Sequence, residues 1–247
     1  MLAAQLGVLK PSVEQELDPY WEYVILLLHT DELSVSDALI DSSSQNQTIG
    51  HSGPGVVLDT VTPLYGEGSL QLDGNYYVGT DGDPQEDWYY PAGVDFTIEL
   101  SFKQDESVST VQGLICNQAP SGTWNGVQFV VNGGNSGVQA VLYGANLAVA
   151  NCVALGVAPV GVKHTVSFSR QGEDFYLHVD GVMVSSATSS GGMQDPENVE
   201  PMFIGTDPSN TPARNFVGLI DEVRITRGVG RYGSDNYTVR TTPFPNG

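Results

Sequence analysis

The 247-residue sequence has little positive charge, few cysteines and no long apolar run. It carries 9 Lys and Arg against 29 Asp and Glu, which gives a formal net charge of −20. A chain of this charge repels a phosphate backbone and an anionic lipid surface, so we expect neither nucleic acid nor membrane as a partner. The most apolar run, Val24 to Leu28, is far shorter than the roughly 20 residues of a membrane-spanning helix.

Two marks of exported proteins are also missing. Cys116 and Cys152 are the only cysteines, too few for a disulfide framework, and we expect two buried reduced thiols, with a single disulfide as the alternative. Leu2 to Leu9 is short, contains Gln5 and has no basic residue before it, unlike a secretory signal peptide. The sequence therefore predicts a protein that does not leave the cytoplasm of the producing cell by the general secretory route.

Strand signals fill the chain from Tyr20 onward. The run at 24–28 is typical of a strand covered on both faces, whereas residues 96–103 alternate apolar and polar side chains, as in a half-buried strand. Residues 132–137 and the pair Asp180-Gly181 predict hairpin turns between apolar segments. With roughly a dozen such strands and no amphipathic helix, the sequence predicts an all-β fold, an antiparallel two-sheet sandwich.

Residues 1–19 differ from the rest of the chain and predict a short extended N-terminal arm. The segment contains Pro11 and Pro19 and an acidic cluster, and Leu9 is among its few apolar side chains. Such a tail is mobile unless something binds it. We interpret it as an attachment or oligomerisation arm that Trp21 docks onto the sandwich, with a frayed terminus as the alternative. Residues 20–247 are expected to form one domain.

Five segments then suggest a family. Val24 to Asp31 (VILLLHTD), Gly66 to Tyr77 (GEGSLQLDGNYY), Asp95 to Phe102 (DFTIELSF), Phe175 to Val184 (FYLHVDGVMV) and Gly218 to Arg231 (GLIDEVRITRGVGR) follow in this order. Together they resemble the laminin-G-like, concanavalin A-like jelly-roll modules of bacteriophage virion proteins, over about residues 20–247. The resemblance implies a jelly roll of two curved sheets, in which the concave sheet and its rim loops carry ligands.

The resemblance also implies a function. We expect a non-catalytic virion structural protein, either a decoration of the capsid head or a tail accessory, attached through the arm and the sandwich rim. Its partners would be capsid or tail proteins and other copies of itself. The alternative is a carbohydrate-binding adhesin that recognises host surface glycans, because the fold serves many functions.

A polysaccharide hydrolase is the third functional hypothesis. Hydrolysis needs two carboxylates across a cleft, and only the spacing of Glu16, Asp18 and Glu22 imitates the family's catalytic strand. Pro19 would remove a ladder hydrogen bond in the middle of that strand, and the segment precedes the first core strand. We therefore expect no enzyme.

Related modules often hold one Ca²⁺ near a sheet edge. The positions that match its aspartate ligands are Asp31 and Asp221, and hard oxygen ligands of this kind suit calcium. Glu32 stands where the family commonly has glycine. In the alternative interpretation, Asp31 only ends a strand and Asp221 only makes a local hydrogen bond.

Two further groups are candidates for binding. The first group is aromatic and could stack on sugar rings, meet a neighbouring subunit or simply pack; it comprises Trp88, Tyr89, Tyr90 and Trp124. The second group is the basic stretch near the C-terminus, which could bind an acidic face of another copy or of a capsid protein; it comprises Arg224, Arg227 and Arg231. Internal pairing with local carboxylates is the alternative for these arginines.

Overall fold

The computed structural model describes residues 17–34, 38–81, 85–105, 109–118, 124–194, 196–197, 199–209 and 214–247. The strands of this part of the chain are β1 Val24–Leu28, β2 Ile49–His51, β3 Leu58–Asp59, β4 Ser69–Asp73, β5 Val78–Thr80, β6 Phe96–Gln104, β7 Val111–Cys116, β8 Gly126–Asn132, β9 Gly137–Gly144, β10 Leu147–Ala154, β11 Lys163–Gln171, β12 Asp174–Val179, β13 Val182–Thr188, β14 Phe203–Ile204 and β15 Val217–Arg227. Two single-turn 3₁₀ helices, Trp21–Tyr23 and Gln85–Trp88, accompany them. Within the described ranges, no helix has the length and apolar character needed to span a bilayer.

The strands form two antiparallel sheets, which confirms the predicted sandwich. The eight-stranded sheet has the order β13-β12-β11-β6-β15-β4-β3, with β1 also paired to β15. The seven-stranded sheet has the order β10-β9-β8-β7-β14-β5-β2. Sequence neighbours such as β4 and β5 lie in different sheets, as the crossing connections of a jelly roll require.

The core lies between the two sheets and is rich in aromatic rings. Phe96 of β6 and Phe168 of β11 meet edge to face with ring centroids 5.5 Å apart. Phe129 of β8 reaches across from the seven-stranded sheet to within 6.3 Å of Phe168. Because side chains alternate along a strand, burial of Phe129 turns its neighbours Gln128 and Val130 to the outer face of that sheet.

The outer face of the eight-stranded sheet is covered by the chain's own C-terminal segment, residues 228–247, which we call the strap. The Tyr232 hydroxyl donates a hydrogen bond of 2.8 Å to Glu99 Oε2 on β6, and the Thr97 hydroxyl donates one of 3.3 Å to the Val229 carbonyl. Every residue of β6 except Lys103 is therefore buried. The expectation of a half-buried strand here was wrong, because the strap shields the polar side as well.

The described end of the N-terminal arm belongs to this same cover. Asp18 is buried and its carboxylate lies 2.8 Å from the guanidinium groups of Arg224 and Arg231. Trp21 is half-buried and its ring lies against Gly247 of the strap, while Pro19 is exposed. Leu9 and Pro11 lie outside the described residues, so the attachment role of the arm stays a prediction.

Both cysteines are free and buried, which confirms two reduced thiols. Cys116 pairs with Gln128 across β7 and β8, and its sulfur lies 3.7 Å from Asp207 on the outer side of the sheet. Cys152 packs in the core between the sheets. The two thiols point to opposite sides of the seven-stranded sheet, and this arrangement prevents a disulfide.

Candidate functional site

The outer face of the seven-stranded sheet carries the most promising group of side chains. β8 and β9 form a regular hairpin in which Gly126 pairs with Tyr143. Leu142 faces the core, so the next residue, Tyr143, points outward. The same alternation places Gln128 outward, two residues along β8 from Gly126.

An aromatic pair forms one side of the site. Trp124 lies just before β8, with 46% of its surface exposed, and meets Tyr143 edge to face with ring centroids 5.3 Å apart. Asn146 fixes the loop that carries Trp124: its Oδ1 accepts the Trp124 N–H at 2.6 Å, and its own N–H donates to the Trp124 carbonyl at 3.0 Å. The tryptophan is thus exposed and yet held in place.

The connection between β14 and β15 supplies the polar side; we call its described residues, 205–209 and 214–216, the crossing loop. It passes directly over Gly113 of β7, where an added Cβ would lie 2.1 Å from the backbone of Thr206. The Gly113 N–H donates a hydrogen bond of 2.8 Å to the Arg214 carbonyl. A residue without a side chain is required here, because the backbone of the crossing loop lies directly on this position.

Asp207 of the crossing loop is the centre of a polar cluster. It is fully buried and accepts hydrogen bonds from the Gln128 amide at 3.1 Å, from the Ser209 hydroxyl and from the Arg214 guanidinium at 3.4 Å. The side chain of Arg214 is 39% exposed, so part of it is accessible to solvent. The carboxylate and the guanidinium offset each other's charge.

The phenol of Tyr143 stays protonated beside this cluster. Burial raises its pKa above the usual value, and the negative charge of Asp207 raises it further. A neutral phenol can both donate and accept a hydrogen bond at neutral pH. The site thus combines flat apolar ring surfaces with amide, hydroxyl, phenol and guanidinium groups, a combination able to pack on an apolar ligand face and hydrogen-bond its polar rim.

The structure corrects the prediction for two of the four aromatic candidates. Trp88 and Tyr90 are fully buried, and the Tyr90 ring lies 4.7 Å from Phe96 in the core. Neither ring can stack on a ligand, so both pack the sandwich. Tyr89 is half-buried. Only Trp124 offers the exposed ring that the prediction required.

The basic stretch is corrected as well. Arg224 is buried and pairs with Glu99 at 2.8 Å and with Asp18, which also pairs with Arg231. Arg227 donates hydrogen bonds to the Tyr89 carbonyl at 3.2 and 3.3 Å. The internal-pairing alternative therefore holds for Arg224 and Arg231, whose side chains are buried. Arg227 is half-buried and is held by the Tyr89 carbonyl, so the three arginines form no continuous exposed basic surface.

The Asp221 side chain does not fit a calcium ligand. It is fully buried and accepts hydrogen bonds from the hydroxyls of Thr30 and Ser69, at 2.7 and 2.8 Å, and from the amides of Tyr65 and Glu222, at 2.9 and 2.8 Å. These donors point hydrogen atoms at the oxygen lone pairs that a cation would need. Ca²⁺ requires six to eight oxygen ligands that offer lone pairs.

The Asp31 carboxylate is also engaged by hydrogen-bond donors. Its Oδ1 accepts the amide N–H groups of Glu67 and Gly68, at 2.6 and 3.1 Å. No group of three or more His, Cys, Asp or Glu side chains suited to a metal ion occurs in the part of the chain that the structure describes. Hydrogen bonding therefore matches the geometry of both carboxylates better than the calcium interpretation. The stated alternative holds only in part, since Asp31 lies three residues beyond β1 and the partners of Asp221 are mostly distant in sequence.

Sequence reasoning found one member of the site and missed the others. The missed residues are Gln128, Tyr143, Asp207 and Arg214. Gln139 is the one polar side chain of residues 138–142, and counting in steps of two from it could have placed Tyr143 outward. Nothing local marks Asp207 and Arg214, because they reach the sheet only through the crossing loop.

Comparison with known proteins fits this fold. A family model described as the concanavalin A-like lectin/glucanases superfamily matches residues 72–229. No curated protein matches the chain in sequence. Among solved structures, the binding domain of botulinum neurotoxin serotype G superposes with a TM-score of 0.63 at 13% identity, covering 85% of this chain and 48% of that one.

Two other structures add to this. The binding domain of botulinum neurotoxin DC, solved in complex with SialylT, gives a TM-score of 0.58 at 12% identity, covering 88% of this chain and 49% of that one. Domain 4 of AbnA, a GH43 extracellular arabinanase from Geobacillus stearothermophilus, solved in complex with arabinotriose, gives 0.55 at 15% identity, covering 84% and 93%. This chain spans about half the length of the toxin binding domains. The structural likeness concerns the fold, and the family match extends over more than half of the sequence: the chain belongs to the concanavalin A-like lectin/glucanases superfamily.

Proposed function

We propose that the protein binds carbohydrate without catalysis, at the outer face of the seven-stranded sheet. The observation that carries this proposal is the exposed Trp124–Tyr143 pair beside the Asp207–Arg214 cluster. A sugar ring has an apolar face of C–H groups and a rim of hydroxyls. The aromatic pair suits the first, and the polar cluster suits the second.

Internal hydrogen bonds hold the side chains of the proposed site in place without a ligand. Asn146 holds the loop of Trp124, and Asp207 orients the Gln128 amide and the Arg214 guanidinium. A ligand that meets fixed groups loses less free energy to the ordering of side chains. Burial of one sugar face against the exposed tryptophan would add the removal of apolar surface from water.

The superfamily and two of the solved structures support the same proposal. The arabinanase domain was solved with arabinotriose and the toxin binding domain with SialylT, so domains of this fold are known with saccharide-type partners. A non-catalytic role is supported by the carboxylates of the site. Among its described residues, Asp207 is the one acid, whereas glycoside hydrolysis uses two across a cleft.

The virion role inferred from the resemblance stays a prediction, and so do the head or tail location and the capsid, tail and self partners. The family description and the three structures above name no virion protein. Carbohydrate binding is compatible with the adhesin alternative, in which the glycan belongs to a host surface.

A glycan array probed with the full-length chain tests the proposal, followed by titration calorimetry of the best hit. We expect defined, saturable binding that weakens at least about tenfold in Trp124→Ala, since that ring would be central to the contact. Trp21→Ala is the matched control, because Trp21 lies against Gly247 of the strap, on the other side of the molecule. The proposal fails if no glycan binds, or if both variants bind as the unaltered chain does.

A further inference from the structure

The proposed site continues into a face without charge. Residues 107–162 contain no Asp, Glu, Lys or Arg, although the chain as a whole carries a net charge of −20. This segment includes β7, β8, β9 and β10, which are consecutive neighbours in the seven-stranded sheet. Among the described residues of the crossing loop, Asp207 and Arg214 bring charge to this face next to Trp124, and they pair with each other.

A groove lies on this face beyond the aromatic pair. It has a volume of about 150 Å³ and is lined by uncharged side chains that include Val111, Val130, Asn132, Gln139, Val153 and Leu155. Val153 and Leu155 are 43% and 65% exposed, large fractions for aliphatic side chains. The groove therefore offers apolar contact to anything that lies along it.

The groove and the aromatic pair occupy the two ends of the same strands. Gly126 of β8 pairs with Tyr143, and Asn132, at the other end of β8, pairs with Gly137 near Leu155. Six residues separate these ends, which corresponds to about 20 Å at 3.3–3.4 Å per residue. Between these ends the outward residues Gln128, Val130 and Val141 are buried, whereas Asn151 and Val153 of the edge strand β10 are exposed. The path that connects the two features therefore runs along β10, and it is longer than a single sugar ring needs.

Amide groups line the path between them. Gln139 Nε2 donates a hydrogen bond of 3.0 Å to Asn151 Oδ1, and this pair is exposed. Amides hydrogen-bond hydroxyl groups as both donors and acceptors. An uncharged, hydroxyl-rich chain fits such a path, whereas an acidic chain would meet no excess cation there and the strong negative field of the whole protein.

We propose that the ligand of this face is an extended neutral saccharide that runs along β10, from the Trp124–Tyr143 pair to the groove beside Leu155. This inference rests on the proposed function and adds two properties to it. The saccharide is uncharged, and it is long enough to reach both ends. A second copy of the chain, seated on the same apolar groove, is the competing occupant and would appear as self-association.

The test measures binding of the full-length chain to cello-, xylo- and arabino-oligosaccharides of one to six units by titration calorimetry. Oligogalacturonide of matched length and sialyllactose serve as acidic probes. We expect at least one neutral series to gain about tenfold or more in affinity from the shortest binding member to the hexamer, and the acidic probes to bind far more weakly.

Two groove variants separate this inference from the proposed function. Leu155→Ser and Gln139→Ala should remove the gain with length and leave the affinity of the shortest ligand unchanged, whereas Trp124→Ala should weaken every length. Val182→Ser is the matched control, since Val182 is 49% exposed but lies in the other sheet.

Different failures have different meanings. Affinity that does not depend on length, groove variants that keep the gain, or tighter binding of the acidic probes would overturn the inference and leave the proposed function standing. Absence of binding to every saccharide would overturn both. A dimer in analytical ultracentrifugation that Leu155→Ser converts to a monomer would assign the groove to a second copy and overturn the inference.

Discussion

Arg231 and Asp18 are 213 positions apart in the sequence, and Nη2 of the arginine lies 2.8 Å from Oδ2 of the aspartate. Arg224 joins the same carboxylate and extends the pair to Glu99 on β6. All four side chains are buried or nearly so. The strap and the arm therefore close over the sheet around two cations and two anions. The balance matters, because an unpaired buried charge is strongly unfavourable.

Loss of Asp18 should destabilise the fold. We expect Asp18→Ala to lower the free energy of unfolding by about 3–5 kcal/mol, since both arginines lose a partner in a buried place. Urea denaturation followed by tryptophan fluorescence measures this. Two truncations provide the control: removal of residues 1–17 keeps Asp18, whereas removal of residues 1–19 does not. Equal stability of the two truncated chains would contradict the prediction.

Acid should weaken the fold through His178. This side chain is fully buried beneath the strap, with its ring 5.3 Å from Tyr237. Burial lowers the pKa of the histidine below its usual value of 6.5, and the hydrogen bond that its Nε2 donates to the Asp235 carbonyl only partly offsets this. The unfolded chain therefore binds more protons just below pH 6.5. The free energy of unfolding should fall as pH decreases through that range, and the fall should be smaller in His178→Gln.

His29 should act in the opposite direction over a neighbouring range. Burial alone would lower the pKa of His29, but the hydrogen bond and the negative charge of Glu222 outweigh it and raise the pKa above 6.5. Its contribution to stability is complete below pH 6.5 and is lost as pH rises through the raised pKa. Denaturation of His29→Gln across the same pH series should show less loss of stability on the alkaline side. Parallel curves for this variant and the unaltered chain would refute the assignment.

Calcium should not change the stability of the protein. Asp221 and Asp31 are already engaged by hydroxyl and amide donors, so a cation would have to displace them. We expect the same melting temperature in excess Ca²⁺ and in excess chelator, measured by differential scanning calorimetry. Asp221→Asn should lower that temperature equally in both buffers. A calcium-dependent rise of several degrees would restore the metal interpretation.

A methyl group at Gly113 of β7 should disturb the proposed site, because the crossing loop lies on this residue. Its Cβ would lie 2.1 Å from the backbone of Thr206, so Gly113→Ala must displace the crossing loop and with it Asp207. We expect weaker glycan binding together with a lower melting temperature. Gly50→Ala is the control in the same sheet, since the nearest atoms there are 3.9 Å from the added Cβ. Unchanged glycan affinity in Gly113→Ala would show that the crossing loop does not form the site.

The sequence predicted those parts of the fold that depend on local signals. Asp180 and Gly181 both adopt positive φ, 51° and 76°, as the hairpin between β12 and β13 requires. The hairpin of β8 and β9 was likewise predicted from its turn residues, 132–137. The burial of β6 was not predictable in this way, because the strap that covers it lacks a strand pattern and comes from the far end of the chain.

The candidate site also has residues that local sequence signals mark and residues that only tertiary contacts bring to it. Trp124 was identifiable as an aromatic residue in a glycine-rich turn, but Trp88 and Tyr90 looked equally suitable, and only the packing shows that they are buried. Because side chains alternate between the two faces of a strand, the polar Gln139 of β9 indicates that Tyr143, four residues later, also points outward. Asp207 and Arg214 come from the crossing loop, whose path over Gly113 is a tertiary contact with no counterpart in local sequence.

The strap has a consequence for orientation. Its residue Gly247 lies against Trp21 on the side of the eight-stranded sheet, whereas the proposed ligand face is the outer side of the other sheet. A bead or particle tethered at Gly247 would therefore sit behind the molecule and leave the proposed ligand face directed away from it. Many copies anchored in this manner would present parallel faces, a geometry in which weak single contacts with a glycan-coated surface add up to firm adhesion.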